Sequence, residues 1–432
     1  MTHSVPPIPF HVSFSVKQTT IVLGFLLLMV VGDGLNVVLM RTGQPFWRVS
    51  IVIRALAQGY FLLLLANKRQ SIYVFGLSLG LLAIWLLGVV AGGQINAYNW
   101  FENLNMIVKM LFFFSCWEVF RQFFRKESDQ VKLFNLYEKI IMLQVLLVII
   151  GFIFRVEFLS SYGQEYRFGY KGLLPARNEV SGFFIIAFFY YLWKLYCTRR
   201  GFVQLFVVLV AAFLTGAKAI LILPVALVFF LVRLFIRFSR SKVFYSVVGV
   251  SVLLVGIVVW QRGNILERLS PTLEYFSYQL RSGNNPTLLS ALMSGRSEYA
   301  LTLLSDLAPG RLLFGGHDLA VSSTETDLLD VFLLLGIAGV LLFYAFYLRA
   351  LFFNVRRRFG LIQTLFVLTW LGISTVSGHL VFSAINGPYL AILLLAFSAM
   401  PQSMVIPSLR FLPKVAWKPR SVGMMFRKSA NR

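Results

Sequence analysis

The sequence predicts an all-α polytopic membrane protein, and three observations carry that prediction. The 432 residues are 58% hydrophobic and only 13% charged, with a mean hydropathy of +0.77. A soluble chain of this size needs far more polar surface. The apolar residues fall in runs of roughly 17–25, the length that crosses the hydrocarbon core of a bilayer. The basic residues collect in short clusters between those runs. In hydrocarbon every backbone N–H and C=O must pair internally, so the runs are helices. The alternation of an outer-membrane barrel is absent. Length alone suggests about three soluble domains, but a helical bundle counts as one, residues 1–432.

Twelve spans are expected, near 19–40, 46–66, 71–91, 104–124, 136–156, 180–196, 202–215, 217–236, 243–260, 327–348, 361–380 and 384–400. The first is long enough to stay as an anchor, and no small-residue cleavage site follows it. The seventh and eighth run together around "TGAKAILILP", which reads as a tight hairpin. With the amino terminus in the cytoplasm, the inside segments carry 26 of the 40 basic residues and four of the 17 acids. That asymmetry supports both termini inside. It also accounts for the net charge of +23 without nucleic acid. The basic, aromatic tail at 401–432 reads as a cytoplasmic segment beside anionic lipid. Cys116 and Cys197 form neither a disulfide framework nor a metal site.

Two outer segments are long, 157–179 and 261–326. Long ordered loops tend to be functional. The second contains helical stretches at 273–280 and 297–304, expected as short amphipathic helices on the outer interface. Several outer cations are left over by the positive-inside rule: Arg177 in "PARNE", Lys218 in "TGAKA", Arg281 in "QLRSGNN" and Arg296 in "SGRSEY". Guanidinium forks suit phosphate. A cationic cluster facing outward points to an anionic ligand with a lipid tail. Interfacial snorkelling or loop-fixing ion pairs are the competing readings for Arg177 and Arg296. Arg54, inside the second span, has Asp33 of the first as its natural partner.

His317, in "FGGHDL", is either a general base or a loop cap. His379 reads as an interhelical hydrogen-bonder. In "STETDLLDVFLLLGIAG", residues 323–339, Glu325 and Asp327 sit at the mouth of an apolar run and Asp330 lies one turn inside. They read either as proton acceptors or as caps that complement the helix dipole. Tyr275, Tyr278 and Tyr299 are sugar-stacking platforms or interface anchors. No nucleotide-type glycine loop and no cluster at metal spacing appears, so a cytoplasmic sugar-nucleotide enzyme is excluded.

These motifs resemble the O-antigen polymerase and ligase superfamily of bacterial envelope glycan assembly. "GLLPARNEVSGFF" is similar to the segment in which a polar Asn, here Asn178, enters a helix after the first large outer loop. "FLTGAKAILILP" resembles the threonine–basic hairpin, with Lys218 where arginine is usual. "SGRSEYALTLLSDLAPGRLLFGGH" resembles the arginine-led helix and the glycine turn after it. Ligases of the family carry a histidine, a polar residue, nine further residues and then G-x-x-G. Counting back from Gly336 places Glu325 in the histidine slot, which favours the polymerase branch.

The resemblance implies a GT-C-like glycosyltransferase of the inner (plasma) membrane. Its substrates are undecaprenyl-pyrophosphate-linked oligosaccharides, joined at the periplasmic face without metal or other cofactor. It implies pyrophosphate binding by Arg177, Lys218, Arg296 and Arg281, and substrate binding by Asn178 and Tyr299. Glu325, then Asp327, then His317 are the candidate bases. A chain-length regulator and a flippase are implied partners. A ligase and a lipid-linked oligosaccharide carrier are the alternatives. A carrier is expected to show repeat symmetry, broken helices or ionisable groups at mid-membrane. No internal repeat is evident.

Overall fold

The computed structural model describes residues 17–42, 48–66, 68, 71–93, 95, 98–161, 169–198, 200–238, 296–305, 307, 309–353, 360–376 and 378–398. Within them the regular structure is helical, apart from one isolated bridge between Ser160 and Tyr170. The helices are α1 (Gln18–Arg41), α2 (Val49–Ala66), α3 (Ile72–Ala91), α4 (Trp100–Phe123), α5 (Glu127–Phe154), α6 (Arg177–Thr198), α7 (Phe202–Leu214), α8 (Ile222–Phe238), α9 (Arg296–Ser305), α10 (Pro309–Phe314), α11 (Asp327–Leu351), α12 (Gly360–Val376) and α13 (Asn386–Ser398).

Seven of these, α1 to α6 and α11, are long and apolar enough to cross a membrane. Four shorter apolar helices, α7, α8, α12 and α13, fall where the seventh, eighth, eleventh and twelfth spans were expected. The expected span at 243–260, the helical stretch at 273–280 and the tail at 401–432 lie outside the described residues. The protein is a multi-pass, all-helical membrane protein.

Two departures from the expected pattern matter for function. The eighth segment opens with a 3₁₀ turn, Lys218–Leu221, and becomes α-helical only at Ile222. Pro224 then falls in the first turn of α8, where a missing N–H is harmless. The eleventh and twelfth segments are joined by a buried, largely non-helical stretch, 378–385, in place of a short outer turn.

The core forms around α13, which packs between α4 and α6. Every residue of α13 from Asn386 to Phe397 is buried, and so is α6 from Val180 to Trp193. Gly387 lets α13 approach α4 closely, since a Cβ there would stand 3.3 Å from the Phe113 Cα. Small residues at such crossings permit tight packing without a hydrophobic driving force. The periphery is apolar but exposed, as lipid-facing surface must be: Leu63 and Leu79 are 72% and 69% exposed.

Helix α11 is broken at Gly336, whose φ of 64° and ψ of −172° are not helical. A break in hydrocarbon strands carbonyls that need new donors. The loop following α10 supplies them. Gly316 N–H donates to Leu334 O at 2.9 Å, and His317 N–H donates to Leu333 O at 3.0 Å. This contact is backbone on backbone. A Cβ on Gly336 would lie 2.4 Å from the Leu313 carbonyl, and one on Gly316 would lie 2.2 Å from the Gly88 carbonyl carbon. The "FGGH" and "GIAG" glycines therefore let a loop, a broken helix and α3 touch main chain to main chain.

Candidate functional site

The polar residues gather at the end of the bundle where α3 stops and α4, α6 and α11 begin. The loop carrying His317 is fastened there by Asp318. Its carboxylate accepts from Asn99 N (2.9 Å), Asn99 Nδ2 (2.7 Å), Asn103 Nδ2 (2.7 Å) and Ala320 N (3.0 Å). Burial pushes this carboxyl up, but the hydrogen bonds outweigh it and hold the group below the ordinary aspartate value. A depressed folded-state value adds stability above the unfolded value, and that stability is lost as pH falls through the folded one. Asp318→Asn should therefore lower stability by about 1–3 kcal/mol at pH 7. The difference should begin to shrink as pH falls below roughly 4, the reference value for unfolded aspartate, and should vanish only below the lower folded-state value. Unfolding midpoints of the detergent-purified protein, followed from pH 7 into acid, test this, and a shift that stayed constant throughout would contradict it.

His317 turns back into its own loop. Its Nε2 lies 3.1 Å from Ser322 O and 2.8 Å from Ser322 Oγ, and burial lowers its pKa. That geometry fits the loop-cap reading. Asp327 is buried at the start of α11. Its oxygens accept from the backbone N–H groups of His379 (2.8 Å), Leu380 (2.9 Å) and Val381 (2.9 Å). The carboxylate thereby satisfies the bare amides of the 378–385 segment. Asp330 accepts from Thr324 N (2.7 Å) and Thr324 Oγ1 (2.8 Å), tying the approach strand to the helix. Both aspartates hold backbone in place.

Glu325 is differently situated. It immediately precedes Thr326, the N-cap residue of α11, and its side chain is 53% exposed. Its carboxylate bonds the Arg296 guanidinium, so Arg296 at the head of α9 and Glu325 at the mouth of α11 form one ion pair. Glu325 has a left-handed φ of 54°, and so does His379, at 69°. Their segments press together: a Cβ on Gly378 would stand 2.0 Å from the Glu325 carbonyl oxygen. Non-glycine residues held in this region are strained, and such strain gathers at functional sites.

Around this pair the structure brings groups that the sequence did not single out. His379, expected as an interhelical hydrogen-bonder, uses its backbone N–H for Asp327, and its ring makes no hydrogen bond among the described residues. Glu325, Lys109 and Arg296 all lie within electrostatic reach of that ring. Lys109, in α4, has no hydrogen bond or ion pair among the described residues, yet lies within electrostatic reach of His379 and Glu179. Glu179, in the first turn of α6, accepts from Ser383 Oγ at 2.9 Å. Deeper, Asp33 and Arg54 pair as anticipated, at 2.7 Å and 2.8 Å, and Arg54 Nε also donates to Ala384 O at 3.1 Å. The 378–385 segment is thus clasped by Asp327, Glu179 and Arg54 from three sides. Asn386, just beyond it, is fully buried, and neither of its side-chain atoms is hydrogen-bonded among the described residues.

The remaining candidates divide. Arg177 opens α6, but its side chain lies outside the described residues, as does Arg281 altogether. Asn178 is half-buried in the same first turn, with its carbonyl accepting from Ser181 Oγ at 2.7 Å. Lys218 opens the 3₁₀ turn that packs on α6, α7 and α8. That turn shares an end with the start of α6, because Tyr170 N–H donates to Leu214 O at 3.0 Å. Tyr299 is 44% exposed on α9. Among these candidates the structure brings Arg296 and Glu325 into direct contact.

The fold and site together define a multi-pass helical membrane protein with a strained, charged mouth at one end of its bundle. No family model matches the chain, and no curated protein or solved structure matches it.

Proposed function

We propose that the protein is a membrane glycosyltransferase that polymerises undecaprenyl-pyrophosphate-linked oligosaccharide units at the periplasmic face of a bacterial inner membrane. In this reading the chain has twelve spans, a GT-C-like arrangement and both termini in the cytoplasm. The observation that carries it is the Arg296–Glu325 pair, at a strained mouth beside Lys109 and His379. A donor pyrophosphate has more charge than one carboxylate. On arrival it competes for Arg296 and releases Glu325. The acceptor hydroxyl oxygen then bonds to the donor's anomeric carbon. The bond from that carbon to the phosphate oxygen breaks, and its electron pair stays on the departing pyrophosphate. The hydroxyl proton passes to Glu325. Arg296 and Lys109, joined by Arg177, Lys218 and Arg281 in this reading, stabilise the charge that develops on the leaving group.

A second reading, a lipid-linked oligosaccharide carrier, is favoured by two observations. Helix α11 is broken at Gly336, and Asp33, Arg54, Glu179 and Lys109 place ionisable groups inside the bundle. Both features suit alternating access. Deleting the protein in its source bacterium and separating envelope glycans by size distinguishes the readings. The polymerase reading requires exported single repeat units with long chains gone. Loss of all exported units would establish the carrier, and long chains stranded on the lipid would point to a ligase.

A further inference from the structure

The opposite end of the bundle is basic and carries a cavity unconnected with the mouth. Here α3 begins and α4 and α11 end, so the last turns of two helices bring Arg121 and Arg349 toward the start of a third. Between them lies a pocket of about 310 Å³, walled by Tyr73, Trp117 and Phe353 and edged by Glu118, Arg121 and Arg349. That volume is within the range of small-ligand sites.

The two arginines are held differently. Arg121 bonds Glu118, with Nε to Oε2 at 3.0 Å, and stacks over Phe353 at 5.2 Å. Its charge is neutralised and its plane is fixed. Arg349 lies over the Tyr73 ring at 4.8 Å and has no carboxylate partner among the described residues. The ring therefore orients its donors, and they make no hydrogen bond among the described residues. A guanidinium stacked on an aromatic face presents a rigid fork suited to phosphate oxygens. Glu118, engaged by Arg121 and by Gln122 Nε2 at 2.5 Å, leaves the pocket with a net positive edge. Beside it, lipid-facing surface such as Leu79 of α3 and Leu341 of α11 is 69% and 67% exposed.

We propose that this pocket binds the phosphate headgroup of an anionic phospholipid, with Arg349 as its anchor and the acyl chains lying along α3 and α11. Basic pockets between spans are suited to such headgroups. The site is separate from the reaction proposed above and does not rest on it.

Binding to the full-length, detergent-purified protein is followed by native mass spectrometry. Phosphatidylglycerol is the probe and phosphatidylcholine the comparator. Phosphatidylglycerol is expected to bind at least about tenfold more tightly. Arg349→Gln should weaken it about fivefold, the effect of one basic side chain worth roughly 1 kcal/mol near an anionic headgroup. Arg200→Gln, equally basic-end but outside the pocket, should change it by less than about twofold. Should Arg349→Gln fail to accumulate, Tyr73→Leu, which removes the ring beneath the guanidinium, is read against the same fivefold loss. Equal weakening by Arg200→Gln would mean diffuse surface charge and would overturn the site. Displacement of the lipid by 10 mM inorganic phosphate would overturn the lipid assignment in favour of a free anion.

Discussion

Replacing Glu325 by Gln is expected to leave the source bacterium displaying single repeat units, with long chains gone and the protein at its normal level in the membrane. The substitution keeps the side chain's size and removes its capacity to accept a proton. Loss of a positioned general base slows such reactions by about 10²–10⁴-fold, enough to empty a ladder of chain lengths. Arg296→Ala removes the partner that bonds the carboxylate and that, in the proposed reaction, stabilises the leaving group. A loss of about 10²–10³-fold is expected from one such donor. The helix-cap reading of Glu325 makes a different forecast, since a glutamine there would leave chains of ordinary length. It is also less well supported by geometry, because the carboxylate is on Arg296 and Thr326 is the N-cap residue. Normal chains from Glu325→Gln together with their loss from His379→Gln would transfer the base to His379.

The second large effect is expected in stability. Arg54→Leu should destabilise the protein by about 3–5 kcal/mol, the penalty for leaving one member of a buried pair uncompensated. Asp33 is fully buried and Arg54 is 7% exposed, so neither charge has solvent to fall back on. Arg54 also holds Ala384 O, so the 378–385 segment loses one of its three clasps. The combined change Asp33→Leu with Arg54→Leu removes both charges and should recover a large part of the loss. Thermal unfolding midpoints in detergent decide this. A double variant as unstable as Arg54→Leu alone would show that the ion pair is not the source of the effect.

How much of this could be read beforehand depends on the range of each interaction. The seven long apolar helices were legible because hydropathy and run length are local properties. The Asp33–Arg54 pair was legible because both charges sit in consecutive apolar runs, where each has few other partners. The contact between Arg296 and Glu325 was only partly legible: the sequence nominated both residues, but nothing in it joined them. Asp327 read as a candidate base because its three amide donors come from 52 to 54 residues away. Lys109, Glu179 and Asn386 escaped notice for the same reason. Their significance comes from α4, α6 and α13 meeting at one irregular segment, and no periodicity encodes that meeting. The break in α11 was hidden because "GIAG" inside an apolar run is compatible with an unbroken helix. Only the seating of Gly315 and Gly316 against it makes the break affordable in lipid.

The break at Gly336 also couples two parts of the chain. In its broken form α11 cannot stand alone in the bilayer, because the carbonyls of Leu333 and Leu334 would meet hydrocarbon with nothing to accept from, at several kcal/mol for each, whereas an unbroken helix would keep them paired. Their donors, Gly316 and His317, are synthesised first and wait in the preceding loop. The kink in α11 and the docking of the loop after α10 therefore stabilise each other, and neither is expected to persist in lipid without the other.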